Sequence, residues 1–268
     1  MKKRLLAVLL TSAMAVTLFA GCGTPGSSDS GSGSSSDEKV FRYSTNTEPT
    51  TLDPSKGNCI PDNEIQHAIT EGLVRNTGGE VTEGVADEWE VSEDGLTYTF
   101  HIRDDAKWSD GEPITANDFV YSWQRLMNPE TASPYAFIGE YIKNGLAVET
   151  GEMDPSELGV VAQDDSTLVV TLEHPTAYFL SLIGSSGQFA PIRQDVVEEY
   201  GTDFAADAEK NVYSGPYVLT SSENQQWVFE PNEEYWDRDS IKLDRCELTY
   251  VAQQDTSLAM YEDGELDY

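Results

Sequence analysis

The residues of this sequence whose types could support acid–base chemistry include four pairs of adjacent carboxylates. Glycoside cleavage uses two carboxyl groups that face one another across the scissile bond at roughly 5 to 10 Å. The pairs here are neighbours along the chain, in predicted turns and at predicted helix ends, so they do not predict such a facing arrangement. We interpret them as surface residues: Asp104–Asp105, Asp164–Asp165, Glu198–Glu199 and Glu233–Glu234.

The sequence also lacks the motifs of nucleophilic catalysis and of phosphate binding. The chain has no G-x-S-x-G segment, and His67, His101 and His174 stand in no motif. The GSSGQ segment from residue 184 has glycines but lacks the lysine of a phosphate-binding loop. Ester hydrolysis is therefore disfavoured, and we expect no catalytic residue.

The cysteines do not indicate a metal or redox site. Cys59 and Cys246 are far apart, and no Cys-x-x-Cys or Cys/His spacing is present. We expect two free thiols, with a disulfide between them as the alternative. No metal site and no cofactor are predicted.

The net charge excludes several partners. The 268 residues carry a formal charge of −32 at pH 7, and such a surface repels nucleic-acid phosphates and anionic lipid headgroups. We therefore predict no nucleic-acid binding, and any membrane attachment must use something other than basic residues.

The N-terminus supplies such an attachment. The basic MKKR segment precedes an uncharged apolar run from Leu5 to Ala20, too short for an ordinary spanning helix and typical of a secretory signal. The LFAGC ending resembles a bacterial lipoprotein signal, which implies a signal peptide over 1–21 and acylation of Cys22. Residues 22–37 are rich in Gly and Ser and predict a flexible tether. Plain secretion is the alternative.

Strand and helix patterns are interleaved after the tether. The TYTFHI segment, residues 97–102, alternates strictly and predicts a strand with one apolar face. Asp62 is predicted as the N-cap of a helix that carries Ile65 and Ile69 on one face. Further hairpins and short helices follow without regular βαβ units, so we predict an α/β (mixed α+β) fold.

The segment KWSDGEPITANDFVYSWQR, residues 107–125, combines a turn with an aromatic-rich helix. Thr115 and Asp118 have the spacing of a capping box, with Asp in place of Glu. Trp108 and Trp123 are predicted to be core residues, and ligand contact is the alternative.

The order of several segments resembles a known family. EPTTLDP, ITEGLV, GVADEWEVSEDGLTYTFHI, SGPYVL, NEEYWD and DGELD follow one another as in the peptide-binding solute receptors of ABC importers. The series covers more than two hundred residues, and NPETASPYA resembles the oligopeptide receptors more than the nickel or dipeptide branches.

This resemblance implies a periplasmic-binding-protein-like, two-lobed clamp. Residues 38–70 and 191–268 would form segments of the first lobe, and residues 71–190 a domain inserted between them. The second lobe would be missing, so we expect the chain to be truncated and to bind ligand weakly or not at all.

The resemblance also implies five ligand-contact residues. Gly57, Asn58, Cys59 and Ile60 match a loop that approaches the peptide main chain, and Tyr135 matches a tyrosine that lines the peptide groove. The alternatives are an ordinary strand-to-helix connection for the loop and a packed aromatic for Tyr135.

The predicted function is therefore a lipid-anchored, extracytoplasmic, monomeric receptor that binds oligopeptides and delivers them to an ABC permease. The alternatives on the same scaffold are a peptide-signal sensor or a dipeptide, nickel or sugar receptor. A secreted glycoside or ester hydrolase is the disfavoured alternative of a different class.

Overall fold

The computed structural model describes residues 38–268. Two four-stranded sheets and six helices of five residues or more form its framework. The helices are α1 (Ile60–Ile69), α2 (Ala116–Met127), α3 (Gly145–Glu149), α4 (Phe179–Ser185), α5 (Gln194–Tyr200) and α6 (Gln254–Glu262).

One sheet is built from a single stretch of chain and is wholly antiparallel. Its strand order is β4 (Ala86–Val91), β5 (Thr97–Ile102), β7 (Thr167–Thr171) and β6 (Val160–Ala162). A separate hairpin joins β2 (Val74–Thr77) to β3 (Glu80–Glu83).

The other sheet combines the first strand with the last three. Its order is β1 (Val40–Thr45), β10 (Arg245–Tyr250), β9 (Gln226–Pro231) and β8 (Tyr217–Glu223). Strand β1 runs parallel to β10, and the remaining pairs are antiparallel.

The buried residues form two hydrophobic cores. The first, here called the continuous core, comprises buried residues between Leu73 and Phe189. The second, here called the split core, draws on residues 52–69 and 192–248. Each core lies against one of the four-stranded sheets.

Local sequence patterns in the continuous core are confirmed. Tyr98, Phe100 and Ile102 are buried along β5, while the residues between them are half-buried or exposed. Trp108 and Trp123 are both buried as core residues.

Helix α2 begins with the predicted capping box. The Asp118 carboxylate accepts the Thr115 N–H at 2.8 Å and the Thr115 hydroxyl at 3.1 Å. These bonds satisfy donors that a helix start otherwise leaves without partners.

The predicted cap of α1 is wrong. Cys59 occupies the N-cap position, and Asp62 lies inside the first turn. Its carboxylate accepts hydrogen bonds from N–H groups of the preceding loop, because that loop folds back over the start of the helix.

Membrane-spanning helices and metal-binding clusters were sought among residues 38–268, the part of the chain that the structure describes. None of the helices in this range has the length and apolar character to cross a bilayer. No group of three or more His, Cys, Asp or Glu side chains in the same range is arranged to hold a metal ion.

Candidate functional site

The predicted ligand segment, residues 57–60, lies where the loop after β1 enters α1. Gly57 is buried, Cys59 is half-buried, and Asn58 and Ile60 are exposed. The side chain of Ile60 is 73% exposed, although it is aliphatic. The segment therefore presents both apolar and polar groups at the surface.

Gly57 is required by close packing. A Cβ atom at this position would lie 2.3 Å from Nε2 of Gln66, a fully buried side chain of α1. The Gly57 N–H donates to the carbonyl of Asp53 at 3.1 Å. The chain can therefore pass this close to α1 because residue 57 has no side chain.

Asp62 is the residue that organises the loop. Its fully buried carboxylate accepts the N–H of Thr50 at 2.6 Å, the hydroxyl of Thr50 at 2.8 Å and the N–H of Asn58 at 3.1 Å. Burial opposes its ionisation, but the donors of Thr50 and Asn58 outweigh burial and hold the pKa of Asp62 below its ordinary value.

Two main-chain donors of the segment are open. The N–H groups of Cys59 and Ile60 have no acceptor among residues 38–268, as expected for the orphan donors of a helix start. Asn58 and Ile60, on either side of Cys59, are exposed at the surface.

A groove of about 360 Å³ adjoins Ile60. Residues of β1, of the first turns of α1 and of α6 line it. Its mixture of hydroxyl, carboxylate and aliphatic groups suits a ligand with both polar and apolar parts.

A second groove, of about 500 Å³, lies between the end of α1, β2 and α4. Its one guanidinium, Arg75, already donates to Glu71 at 2.9 and 3.0 Å and to Asp237 at 3.4 Å. Since this charge is paired, the larger volume does not make this groove the better ligand site.

Tyr135 lies elsewhere, after the end of α2. Its ring is half-buried against the continuous core, 5.7 Å from the ring of Phe137. No hydrogen bond or ring contact between described residues joins Tyr135 to residues 57–60. The four loop residues are consecutive, and Tyr135 joins them through neither kind of contact.

Two of the three cysteines lie within the described residues, and the third lies outside them. Cys59 and Cys246 are free thiols, as expected, and burial raises the pKa of both. Cys22, the signal segment 1–21 and the tether 22–37 lie outside the described residues.

Sequence reasoning missed the polar side chains that hold the loop. The sequence pattern predicts Asp62 as a cap and gives no role to Gln66 or Asp53. The one signal in the sequence was the density of Asp, Asn, Thr and Gly between residues 46 and 58, which is typical of loops held by side-chain hydrogen bonds.

Comparisons with known proteins identify the family of this chain. Residues 80–268 match the family described as bacterial extracellular solute-binding proteins, family 5 Middle. The chain is 35% identical to the oligopeptide-binding protein OppA of Bacillus subtilis, over 100% of this chain and 50% of that protein. It is 37% identical to the dipeptide-binding protein DppE of the same organism, over 87% of this chain and 43% of that protein.

Solved structures agree in fold. Listeria monocytogenes OppA bound to peptide matches with a TM-score of 0.83 and 35% identity, over 87% of this chain and 46% of that chain. The chain thus spans about half the length of the relatives it matches, and its mixed α/β fold is that of the corresponding part of a periplasmic solute-binding protein. These matches show that the chain belongs to the family 5 bacterial extracellular solute-binding proteins.

Proposed function

We propose that this chain is the peptide-contacting part of an extracytoplasmic receptor that binds oligopeptides and delivers them to an ABC transporter permease. The observation that carries this proposal is the surface segment 58–60, in which the N–H groups of Cys59 and Ile60 have no acceptor among residues 38–268. A receptor for many peptides must bind what all peptides share, and that is the main chain.

The side chains around the segment suit variable guests. Ile60 offers exposed apolar surface, and the adjoining groove is wide enough to hold water beside a ligand. Bridging waters are nearly as favourable as direct hydrogen bonds, so such a groove tolerates different side chains. In this proposal Tyr135 lines the same path farther along, with its ring as a rigid apolar contact.

The same proposal includes the cellular setting. Residues 1–21 act as a signal peptide, Cys22 carries the lipid, and residues 22–37 hold a monomeric receptor away from the outer face of the membrane. Each buried methylene of an acyl chain contributes roughly 0.8 kcal/mol. Two long chains can therefore retain even a strongly acidic protein at a membrane.

The domain assignment is part of the proposal as well. Residues 38–70 and 191–268 form first-lobe segments around an inserted domain, 71–190. The two hydrophobic cores support this division, since the continuous core lies within residues 73–189 and the split core uses the flanking stretches.

Binding by this chain alone should be weak. Ligand sites in proteins commonly bury 70–90% of a small ligand, whereas segment 58–60 and its groove are open on one side. A second lobe that closes over the ligand would supply the missing contacts, and closure would be driven by contacts made in the closed state alone.

A dipeptide receptor is the second candidate function. The observation that favours it is the 37% identity to DppE, which its name describes as dipeptide-binding. A receptor for peptide signals has comparable support from the pheromone receptor PrgZ, whose solved structure matches with a TM-score of 0.82 and 33% identity. Nickel and sugar receptors have no such support among the relatives named above. Hydrolysis is disfavoured because the relatives named above are binding proteins.

Calorimetric titration with dipeptides and with a mixed pentapeptide library tests the proposal. Bacillus subtilis OppA at full length serves as the positive control, and we expect this chain to bind at least roughly tenfold more weakly. Equally tight binding by both proteins would show that the open site is misplaced.

Two matched variants locate the site. Ile60→Asp adds a charge at an exposed apolar residue of the segment, and Val91→Asp adds one at an exposed apolar residue of β4. Ile60→Asp should abolish detectable peptide binding and Val91→Asp should not. The proposal fails if the two variants bind alike.

A further inference from the structure

An ion pair between Asp53 and Arg125 joins the two cores. It holds the stretch of chain immediately before the ligand segment. The Asp53 carboxylate accepts Nη1 of Arg125 at 2.8 Å and Nη2 at 2.6 Å, and both side chains are largely buried. The two residues are 72 positions apart in sequence. Asp53 precedes the segment, and Arg125 belongs to α2.

Asp53 determines how the chain reaches Gly57. Its Oδ1 accepts the N–H of Ser55 at 3.0 Å, and its carbonyl accepts the N–H groups of Lys56 and Gly57 at 3.0 and 3.1 Å. The same carbonyl accepts Nε2 of Gln66 at 3.3 Å. A change in the orientation of Asp53 would therefore move the main chain immediately before the ligand segment.

Arg125 provides a rigid reference for Asp53. It lies in the last turn of α2, a helix whose Phe119 and Trp123 are fully buried in the continuous core. Its guanidinium carbon also lies 5.4 Å from the ring centroid of Phe204, a residue of the split core. Asn128, three residues later, begins the loop that leads to Tyr135.

The chemistry of such a pair favours positioning over stability. A buried ion pair adds little net stability relative to apolar residues of the same volume, because both charges lose their hydration. The planar guanidinium fork nevertheless donates to a carboxylate in a narrow range of orientations. The pair therefore fixes geometry at both of its ends.

We propose that Asp53 and Arg125 are positioning residues that hold segment 57–60 in its ligand-facing conformation and in register with the loop from α2 to Tyr135. The proposal depends on the proposed function in naming 57–60 as the ligand segment. The effect of the pair on the conformation of that segment requires no ligand.

Cys59 is a natural reporter of this conformation. Cys59 is half-buried, and burial raises the pKa of its thiol, so a looser segment should raise the rate of its alkylation. Lys56 and Arg75 flank it, and Cys246 directly follows Arg245. Trypsin therefore releases the two cysteines in separate peptides, 57–75 and 246–268, and mass spectrometry gives both alkylation rates from one sample.

Asp53→Asn and Arg125→Met remove the ion pair, and Glu71→Gln is the matched control. Glu71 also has a buried carboxylate, and it accepts hydrogen bonds from two side-chain nitrogens of Arg75. We expect both pair variants to raise the alkylation rate of Cys59 roughly tenfold while that of Cys246 changes less than about twofold. Glu71→Gln should leave the ratio of the two rates unchanged.

Arg125→Lys separates positioning from general support. It keeps the charge but loses the fork, so we expect a Cys59 rate between those of the wild type and Arg125→Met. Urea unfolding of all variants shows whether Glu71→Gln and Asp53→Asn lose comparable stability.

An unchanged Cys59 rate in both pair variants would overturn the proposal, as would an equal rise in Glu71→Gln. Peptide titration of the same samples distinguishes this from failure of the proposed function. Faster Cys59 alkylation in variants whose peptide affinity equals that of the wild type would support the positioning role and overturn the assignment of 57–60 as the peptide segment.

Discussion

The continuous core and the split core differ in how completely their sheets are covered. Strand β5 of the continuous core buries every second residue, and α2, which carries fully buried aromatic side chains, packs against β6 and β7 of the same sheet. In the sheet of the split core, all six residues of β1 are half-buried, and Leu248 is the one fully buried residue of β10.

The continuous core should contribute most of the stability, whereas the proposed ligand segment lies beside the split core. The continuous core contains more than twice as many buried residues as the split core, and burial of apolar surface is the main stabilising contribution to folding. The proposed ligand segment, residues 57–60, lies at the start of α1, a helix that belongs to the split core. Binding surfaces are commonly carried by loops on a rigid scaffold, and here the Asp53–Arg125 pair attaches the loop to that scaffold.

Identical truncations in the two cores give the largest expected effects. Phe119 and Phe229 are both almost completely buried, one in each core. We expect Phe119→Ala to lower the free energy of unfolding by about 4 to 5 kcal/mol and Phe229→Ala by about 3 kcal/mol, because a less densely covered core can collapse into the cavity. Urea unfolding followed by circular dichroism measures both, and a larger loss in Phe229→Ala would reverse the ranking of the cores.

Asp62→Asn probes the polar attachment of the loop. At pH 7 the variant should lose about 2 kcal/mol, since a neutral amide accepts the loop donors less strongly than a carboxylate. The folded-state pKa of Asp62 is lowered, so its contribution is present above the unfolded value of about 3.9 and is lost as the pH falls through the folded value.

Urea unfolding at pH 7 and pH 3 tests that sign. The difference in unfolding free energy between wild type and Asp62→Asn should shrink at pH 3. A difference that grows as the pH falls would contradict the assigned role of the carboxylate.

The capping box of α2 tests the continuous core at its edge. Thr115→Ala removes the hydroxyl that bonds to Asp118 and should cost about 1 kcal/mol. Thermal unfolding provides the measurement, with Ser156→Ala as a control at an exposed hydroxyl that bonds to Asp154 outside any α-helix. Equal losses of thermal stability in Thr115→Ala and Ser156→Ala would show that the capping box contributes no more than an exposed hydroxyl outside an α-helix.

The smallest effect is expected at an exposed ion pair. Lys107 and Glu234 are 2.9 Å apart, and their side chains are 47% and 40% exposed. Glu234→Gln should change the unfolding free energy by less than about 0.5 kcal/mol. A loss as large as that of Asp53→Asn would mean that burial does not distinguish the two pairs.

Sequence reasoning succeeded where a structure is determined locally. The alternation of Tyr98, Phe100 and Ile102 predicts their burial because side chains along a strand point to opposite faces. The spacing of Thr115 and Asp118 likewise places both groups at one helix start. The family, too, could be identified from the order of short segments, which the matched relatives confirm.

The polar network around the loop could not be predicted in the same way. Asp62 has the residue type and position of a cap, and its actual partners depend on how residues 50–58 fold back over α1. The partner of Asp53 lies on another core, 72 residues away, and no local pattern joins them. Five ligand residues were inferred from resemblance, and their contact with a peptide stays a prediction.

Amide hydrogen exchange, with and without saturating pentapeptide, tests the central claim most directly. If segment 57–60 and the loop before Tyr135 form one face of a peptide site, added peptide should slow exchange in residues 50–63 and 128–136 and leave β4 and β5 unchanged. Slowed exchange around the larger groove at residues 70–77 and 183–187, with none at 57–60, would contradict the account.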